Sequence, residues 1–335
     1  MKPHFRTFKS RLSSSRQILR SVIDNGKDWL RRADISFFHE FVPPPTGGGH
    51  QFMRALWGEL ESQGLQLENN TISRTTRACL YNSFNFDFEQ LKQARKSSCK
   101  MVHRVDGPIQ TYRGWDNGTD RRIWQINQEL ANTTIFQSQY SLNQHLELGL
   151  EFRDSHVIMN AANPYIFHPR ERKFFDRNRK IRLLSSSWSD NQNKGFDVYQ
   201  WLDKHLDWQK FDYTFVGRSP IEFKHIQLVP PVNSEQLAKL LRQHDIYISA
   251  SQNDPCSNSL IEALSCGLPA LYLQSGGHPE IVGEAGFGFS DREDIPSLLD
   301  RLVSEYEERQ AQISLPSLEE VGKSYLAVMG FNENN

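Results

Sequence analysis

The four cysteines, Cys79, Cys99, Cys256 and Cys266, form no CxxC pair and no disulfide framework. That excludes a disulfide-stapled secreted scaffold and reads as reduced thiols in a cytoplasmic protein. No apolar run approaches the length of a membrane span. The charged start carries no apolar core of a secretory signal, so none is expected. The eleven histidines show no metal-ligand spacing, and no metal is expected. A net charge of −1 gives no global attraction to nucleic acid. Internal repeats and the GxGxxG fingerprint are absent too. What remains is a 335-residue chain, 38% hydrophobic and 24% charged, long enough for two domains with real cores.

The near-zero net charge hides an asymmetry. Through Arg32 there are nine Lys and Arg against Asp24 and Asp28, so this part carries +7 and the rest −8. Residues 1–33 are read as a basic extension, helical from about Ser15, with Ile18, Leu19, Val22, Ile23, Trp29 and Leu30 on one face. Such a helix can lie on an anionic membrane surface, which would place the protein at the inner face of the membrane; packing on its own domain is the preferred reading.

Beyond it the pattern alternates. Strands are expected at Ile35–Val42, Ala78–Asn82, Lys100–Val105, Thr134–Gln137 and Val157–Met159, with helices between them. The alternation resumes at Ile181–Ser185, Asp212–Gly217, Ile226–Val229, Ile246–Ala250 and Pro269–Leu273. The expected C-terminal helices are Ile295–Glu308 and Leu318–Val328. Strands separated by helices and short turns predict parallel sheets with right-handed crossovers. The expected domains are 34–168 and 169–335, joined through the charged run Arg170–Lys180.

The most informative stretch is Asp245–Phe289. A buried strand runs into the polar loop Ser251–Pro255, and a helix with Leu260, Ile261, Ala263 and Leu264 on its apolar face ends at Gly267. Ser257, Asn258 and Ser259 stand at the helix start, where unpaired N–H groups and the helix dipole suit a phosphate. Asp254 and Glu262, eight residues apart, flank that position; plain helix capping is the competing reading. The spacing resembles the acid-x7-Glu signature of the family 4 retaining nucleotide-sugar glycosyltransferases. That resemblance implies the GT-B fold: two Rossmann-like α/β domains facing across a cleft, the first on the acceptor side and the second binding the donor, with the final helix returning to the first domain. It also implies that the first acid holds a sugar hydroxyl, the helix start (Ser257 to Leu260) the diphosphate, and Glu262 the ribose. This sequence has Asp254 where Glu is usual.

Other segments carry weaker matches. Gly47, Gly48 and Gly49 resemble the family's glycine loop facing the donor. Lys194-Gly195 resembles the Lys-Gly that clamps the diphosphate, but its partner arginine is replaced by Ser187, Trp188 or Ser189, with Arg218 a substitute. Asn160–Pro169 resembles the segment between the domains, with Ala161 and Asn163 departing from the pattern. Gly217 ends a strand on the nucleotide side. His103 and Asp106, after a first-domain strand, are candidates for the acceptor side, because a near-neutral imidazole can exchange a proton with a reacting hydroxyl; a strand cap and an Asx turn are the alternative.

Together the resemblance implies transfer of a hexosyl group from a nucleoside diphosphate sugar, with retention, to a glycan, lipid or small-molecule hydroxyl. No cofactor is expected beyond the donor, and no Asp-x-Asp stands where a metal-dependent transferase needs it. The expected catalytic residues are His103, Asp106, Lys194, Asp254 and Glu262. A non-catalytic nucleotide-sugar-binding relative and a GT-B-like epimerase are the alternatives.

Overall fold

The computed structural model describes residues 32–42, 48–83 and 86–331. Residues 1–31 of the basic extension, and Gly47, lie outside the described residues.

Parallel strands buried on both faces need apolar side chains on both, and the chain supplies them. In the first half, β1 (Ile35–Phe38), β2 (Leu67–Asn69), β3 (Ala78–Asn82), β4 (Lys100–Val105), β5 (Thr133–Phe136) and β6 (Ser155–Val157) form an all-parallel sheet in the order β2-β1-β3-β4-β5-β6. Its crossover helices are α1 (Gly48–Ser62), α2 (Phe88–Ala94), α3 (Ile109–Arg113), α4 (Thr119–Leu130) and α5 (Gln139–Glu147). Ile35 and Phe37 face one core with Phe52 and Leu56 of α1; Phe38, Cys79 and Tyr81 face the other with Leu91 and Ile126.

The second sheet contains β7 (Ile181–Ser187), β8 (Phe211–Gly217), β9 (Gln227–Val229), β10 (Ile246–Ser249), β11 (Ala270–Leu273) and β12 (Gly286–Phe289). Its order is β12-β11-β10-β7-β8-β9, again all parallel. It is covered by α6 (Phe196–His205), α7 (Ser234–Gln243), α8 (Asn258–Ser265), α9 (His278–Val282), α10 (Ile295–Ser304) and α11 (Tyr306–Ala311). Alternation sorts one strand onto both faces: Ile246 and Ile248 pack under α6 and α10, while Tyr247 packs under α7 and α8.

The last helix, α12 (Leu318–Met329), does not stay with the second sheet. Its Leu318, Val321, Tyr325 and Met329 join Ile35, Phe37 and the α1 side chains in a first-half core.

The elements differ from the sequence reading in three places. The short edge strands β2 and β12 lay below the threshold of a periodicity reading. The helix predicted over Ile295–Glu308 is two, because the chain turns at Glu305. Between β4 and α4 the chain is more helical than its polar composition suggests, since α3 reaches Arg113 and α4 begins at Thr119, with Gly114 and Gly118 in the left-handed region at φ 73° and 88°.

Each sheet has one point where strand order reverses: between β1 and β3 in the first, between β7 and β10 in the second. Ligands of open α/β sheets collect beyond the strand ends there. The two halves meet around those points. Asn253 Nδ2 donates to the Thr111 carbonyl (3.1 Å) and Asn160 Nδ2 to Asn258 Oδ1 (3.1 Å). The Glu280 carboxylate accepts from the Gln139 and Tyr140 N–H groups at the start of α5 (2.8 and 2.7 Å).

Candidate active site

The loops that follow β7 and β10 enclose a cavity of about 230 Å³ at the second sheet's reversal. Its walls include Lys194 and Trp188 from the β7 side, Asp254 and Ser257–Ser259 from the β10 side, Glu262 from α8, and Gly48 from the first half. Sequence reading therefore brought together Lys194, Asp254, Ser257, Asn258, Ser259, Glu262 and Gly48.

Local folding explains the placement of each. A single 3₁₀ turn at Gln192–Lys194 ends at Gly195 in the left-handed region (φ 78°), where a Cβ would stand 2.2 Å from the Ala250 carbonyl oxygen. Only glycine lets this turn lie on β10, and the turn delivers Lys194 into the cavity. Lys194 Nζ donates to Asp254 Oδ2 at 3.0 Å and lies 5.5 Å from the Tyr112 ring. Burial opposes the charge on both partners, yet the pairing prevails: Lys194 is raised above its ordinary value by Asp254 and Tyr112, and Asp254 is held below its own by Lys194 and His278. The cation expected at the diphosphate and the acid expected at the sugar thus neutralise each other.

The start of α8 is open. Ser257 is the N-cap residue, but its side chain makes no capping bond; its Oγ lies 3.1 Å from Ser259 Oγ. Ordinary capping is thereby ruled out for Ser257, and the first N–H groups of an eight-residue helix remain directed at the cavity. Leu260 is a correction: its N–H donates to the Ser257 carbonyl (3.1 Å) and its side chain is core, so it offers nothing to a ligand.

Glu262 lies one turn further along, on the cavity wall. Burial pushes its carboxyl up to about 8.

His103 does not face the cleft. It is fully buried within β4, stacked on Tyr81 (centroids 4.4 Å apart), and Asn127 Nδ2 donates to its Nδ1 at 3.2 Å. Burial, followed by the nearby His145, lowers its pKa to about 3. A group so enclosed cannot exchange protons with an acceptor. Asp106 is 33% exposed, but its carboxylate binds Arg104 Nη1 (3.1 Å) and Gln137 Nε2; it balances the fully buried Arg104. Gly217 is not a donor contact either. A Cβ there would stand 1.9 Å from the Ser187 carbonyl oxygen, so it allows β8 to close on β7. Gly48 and Gly49 form the first turn of α1 rather than a loop. Gly48 makes the close approach, since a Cβ would meet Asn258 Cβ at 2.6 Å, whereas Gly49 faces open space. Arg218 is exposed and lies outside the cavity wall, and Trp188 occupies the wall where the clamp arginine was sought.

Sequence reading missed His278, fully buried near Asp254 with Nδ1 3.0 Å from the Leu273 carbonyl. It also missed His39, which follows β1 directly and sits with Nε2 2.9 Å from His50 Nδ1. A polar residue just after a strand at a reversal point was the available signal.

Residues 223–314, which carry Asp254, the α8 start and Glu262, match the family described as Glycosyl transferases group 1. That segment is similar to the group 1 glycosyl transferases. A probable sucrose-phosphate synthase of Thermosipho melanesiensis is 26% identical over 173 residues, covering 45% of this chain and 40% of that protein. The phosphatidylinositol N-acetylglucosaminyltransferase GPI3 subunit of Saccharomyces cerevisiae is 32% identical over 76 residues, 23% of this chain and 17% of that protein. The chain thus matches less than half the length of either curated relative.

Solved structures align over nearly the whole chain. Sucrose-phosphate synthase from Thermosynechococcus elongatus superposes with a TM-score of 0.64 at 14% identity, covering 90% of this chain and 95% of that one. Anabaena HepE in complex with UDP-glucose gives 0.60 at 13% identity, covering 88% and 95%. The fold is GT-B: two parallel six-stranded α/β units facing across a cleft.

Proposed function

We propose that this protein is a family 4 retaining glycosyltransferase that moves a hexosyl group from a nucleoside diphosphate sugar to an acceptor hydroxyl. The observation that carries this reading is the cavity at the second reversal point, where one cation, one open helix start and two carboxyl groups converge beside a segment similar to the group 1 glycosyl transferases. HepE, which shares the fold, was crystallised with UDP-glucose.

In this reading the nucleotide lies along α8. The ribose hydroxyls meet Glu262 and draw its carboxyl into the charged form. The diphosphate takes the free N–H groups of Asn258 and Ser259. Asp254 turns to the sugar hydroxyls, which releases Lys194 toward the leaving diphosphate. Negative charge grows on that group as the anomeric bond breaks, and a preorganised cation and helix start stabilise it more than they stabilise the ground state. The closed seam between the halves excludes water and so suppresses hydrolysis of the donor. These groups supply the charge that a divalent ion supplies elsewhere, so turnover should survive a chelator.

The test is turnover with a panel of nucleotide sugars and acceptors, with the product anomer assigned by NMR. Transfer with retained configuration is expected, abolished in Lys194→Ala and Glu262→Ala variants that still melt cooperatively. Donor binding without turnover on any acceptor would identify a non-catalytic relative, which the Lys194–Asp254 pair and the missing clamp arginine favour as the second reading. Conversion of the donor without acceptor would identify an epimerase.

A further inference from the structure

The first sheet also reverses, between β1 and β3, and the crevice beyond those strand ends carries a group of side chains unused by the reading above. His39 follows β1, and His50 and Arg54 stand one turn apart on α1. Among the described residues Arg54 Nη1 is buried with no hydrogen-bond partner, and no acid forms an ion pair with Arg54. His39 is 1% exposed, and its Nδ1 is likewise buried without a partner. Burial, His50, Arg104 and Arg54 push His39 down to about 4. Burial and Arg54 lower His50 against the opposing pull of Asp106 and Glu40. Both imidazoles are therefore neutral at pH 7, able to donate or accept, and Arg54 holds the local positive charge beside them.

Arg54 lines a second cavity, of about 190 Å³, which shares Gly48, Gln51, Ser234, Asn258 and Glu262 with the donor cavity. Among the described residues Glu262 is the only carboxyl on its wall, and burial pushes it up to about 8. The space is large enough for a phosphoryl group. A guanidinium with a buried free nitrogen, no acid partner and polar neighbours matches a tetrahedral oxyanion, which it can grip through two N–H groups.

We propose that Arg54, backed by the His39–His50 pair, forms a phosphoryl-binding subsite on the first domain, contiguous with the donor cavity but separate from Lys194 and the α8 start. This rests on the donor assignment only for the identity of the neighbouring cavity. The phosphoryl group comes either from a phosphorylated acceptor or from the donor diphosphate, and the experiment separates these sources.

Titration calorimetry on the full chain would use inorganic phosphate, a hexose 6-phosphate and a panel of nucleoside diphosphates, each alone and then the phosphates on protein saturated with the tightest diphosphate. The wild type, Arg54→Gln, Arg54→Lys and, as a control, Arg218→Gln are compared. The expected result is that hexose phosphate still binds the saturated wild type. Arg54→Gln should weaken it about tenfold or more, as loss of a charge-assisted contact does, with Arg54→Lys between and Arg218→Gln unchanged. That outcome assigns the phosphoryl group to an acceptor. Loss of nucleoside diphosphate affinity in Arg54→Gln, with no phosphate binding on saturated protein, assigns it to the donor and also supports the subsite. Equal binding of every probe by wild type and Arg54→Gln overturns the proposal, as does a wild type that binds no phosphate-bearing probe. A wild type that binds hexose phosphate through Arg54 but no nucleoside diphosphate would sink the transferase reading while leaving the subsite standing.

Discussion

Glu262 shows how burial alone can give one side chain two measurable consequences. In the unfolded chain its proton leaves near the ordinary value of 4.5, whereas in the fold it stays until about 8. Between those values the unfolded state binds fewer protons, so this group's contribution to stability is complete below 4.5 and is lost as pH rises through 8. The melting temperature of Glu262→Gln should therefore gain on the wild type steadily from pH 5 to pH 8; parallel curves would mean the carboxyl is solvated. The same group should make donor binding release a proton at neutral pH, seen as a binding enthalpy that depends on the buffer's ionisation enthalpy and loses that dependence in Glu262→Gln. The Lys194–Asp254 pair makes a third expectation. Asp254→Asn leaves a largely buried ammonium with a weaker partner, so it should lose about 1–3 kcal/mol of stability by denaturant titration, while Asp254→Glu should retain most of it.

At the scale of elements, glycines fix how closely segments approach. Gly195→Ala meets both a left-handed φ and the Ala250 carbonyl, so a loss of about 1–3 kcal/mol is expected together with lost donor affinity as Lys194 is displaced. Gly48→Ala should do the opposite: a helix-favourable change on a first turn, but a Cβ driven against Asn258 across the seam. Its thermal unfolding should stay near wild type while nucleotide affinity falls. These elements also show what a sequence discloses. Most strands were legible because consecutive apolar residues such as Ile246–Ile248 must be buried on two faces, and the α8 start was legible because its polar residues interrupt that apolar pattern. His103 was misread for the same reason: where both faces of a strand are buried, alternation cannot say which face looks onto the cleft, and here His103 lies inside, stacked on Tyr81 and hydrogen-bonded by Asn127. His39, His50 and Arg54 escaped because they come together only when α1 folds back beside β1. Short β2 and β12 borrow their order from the neighbouring strands rather than from their own pattern.

The whole molecule is held shut by bonds between its halves, and Glu280 is the clearest of them. It serves α5 as an N-terminal anion from the opposite domain, a role that normally contributes about 0.5–2 kcal/mol when supplied locally, and less at an exposed seam. Glu280→Ala should leave each domain folded but open the cleft, read as a larger radius of gyration by small-angle scattering and faster donor release; an unchanged scattering profile would mean the seam closes without it. The return of α12 to the first core has a consequence of another kind, in time. During synthesis the first domain leaves the ribosome early, yet Leu318, Val321, Tyr325 and Met329 emerge only after the whole second domain. Its α1 face must wait uncovered through most of translation, so nascent chains stalled before Leu318 should be digested by protease within the first domain, and protection should arrive with the last helix.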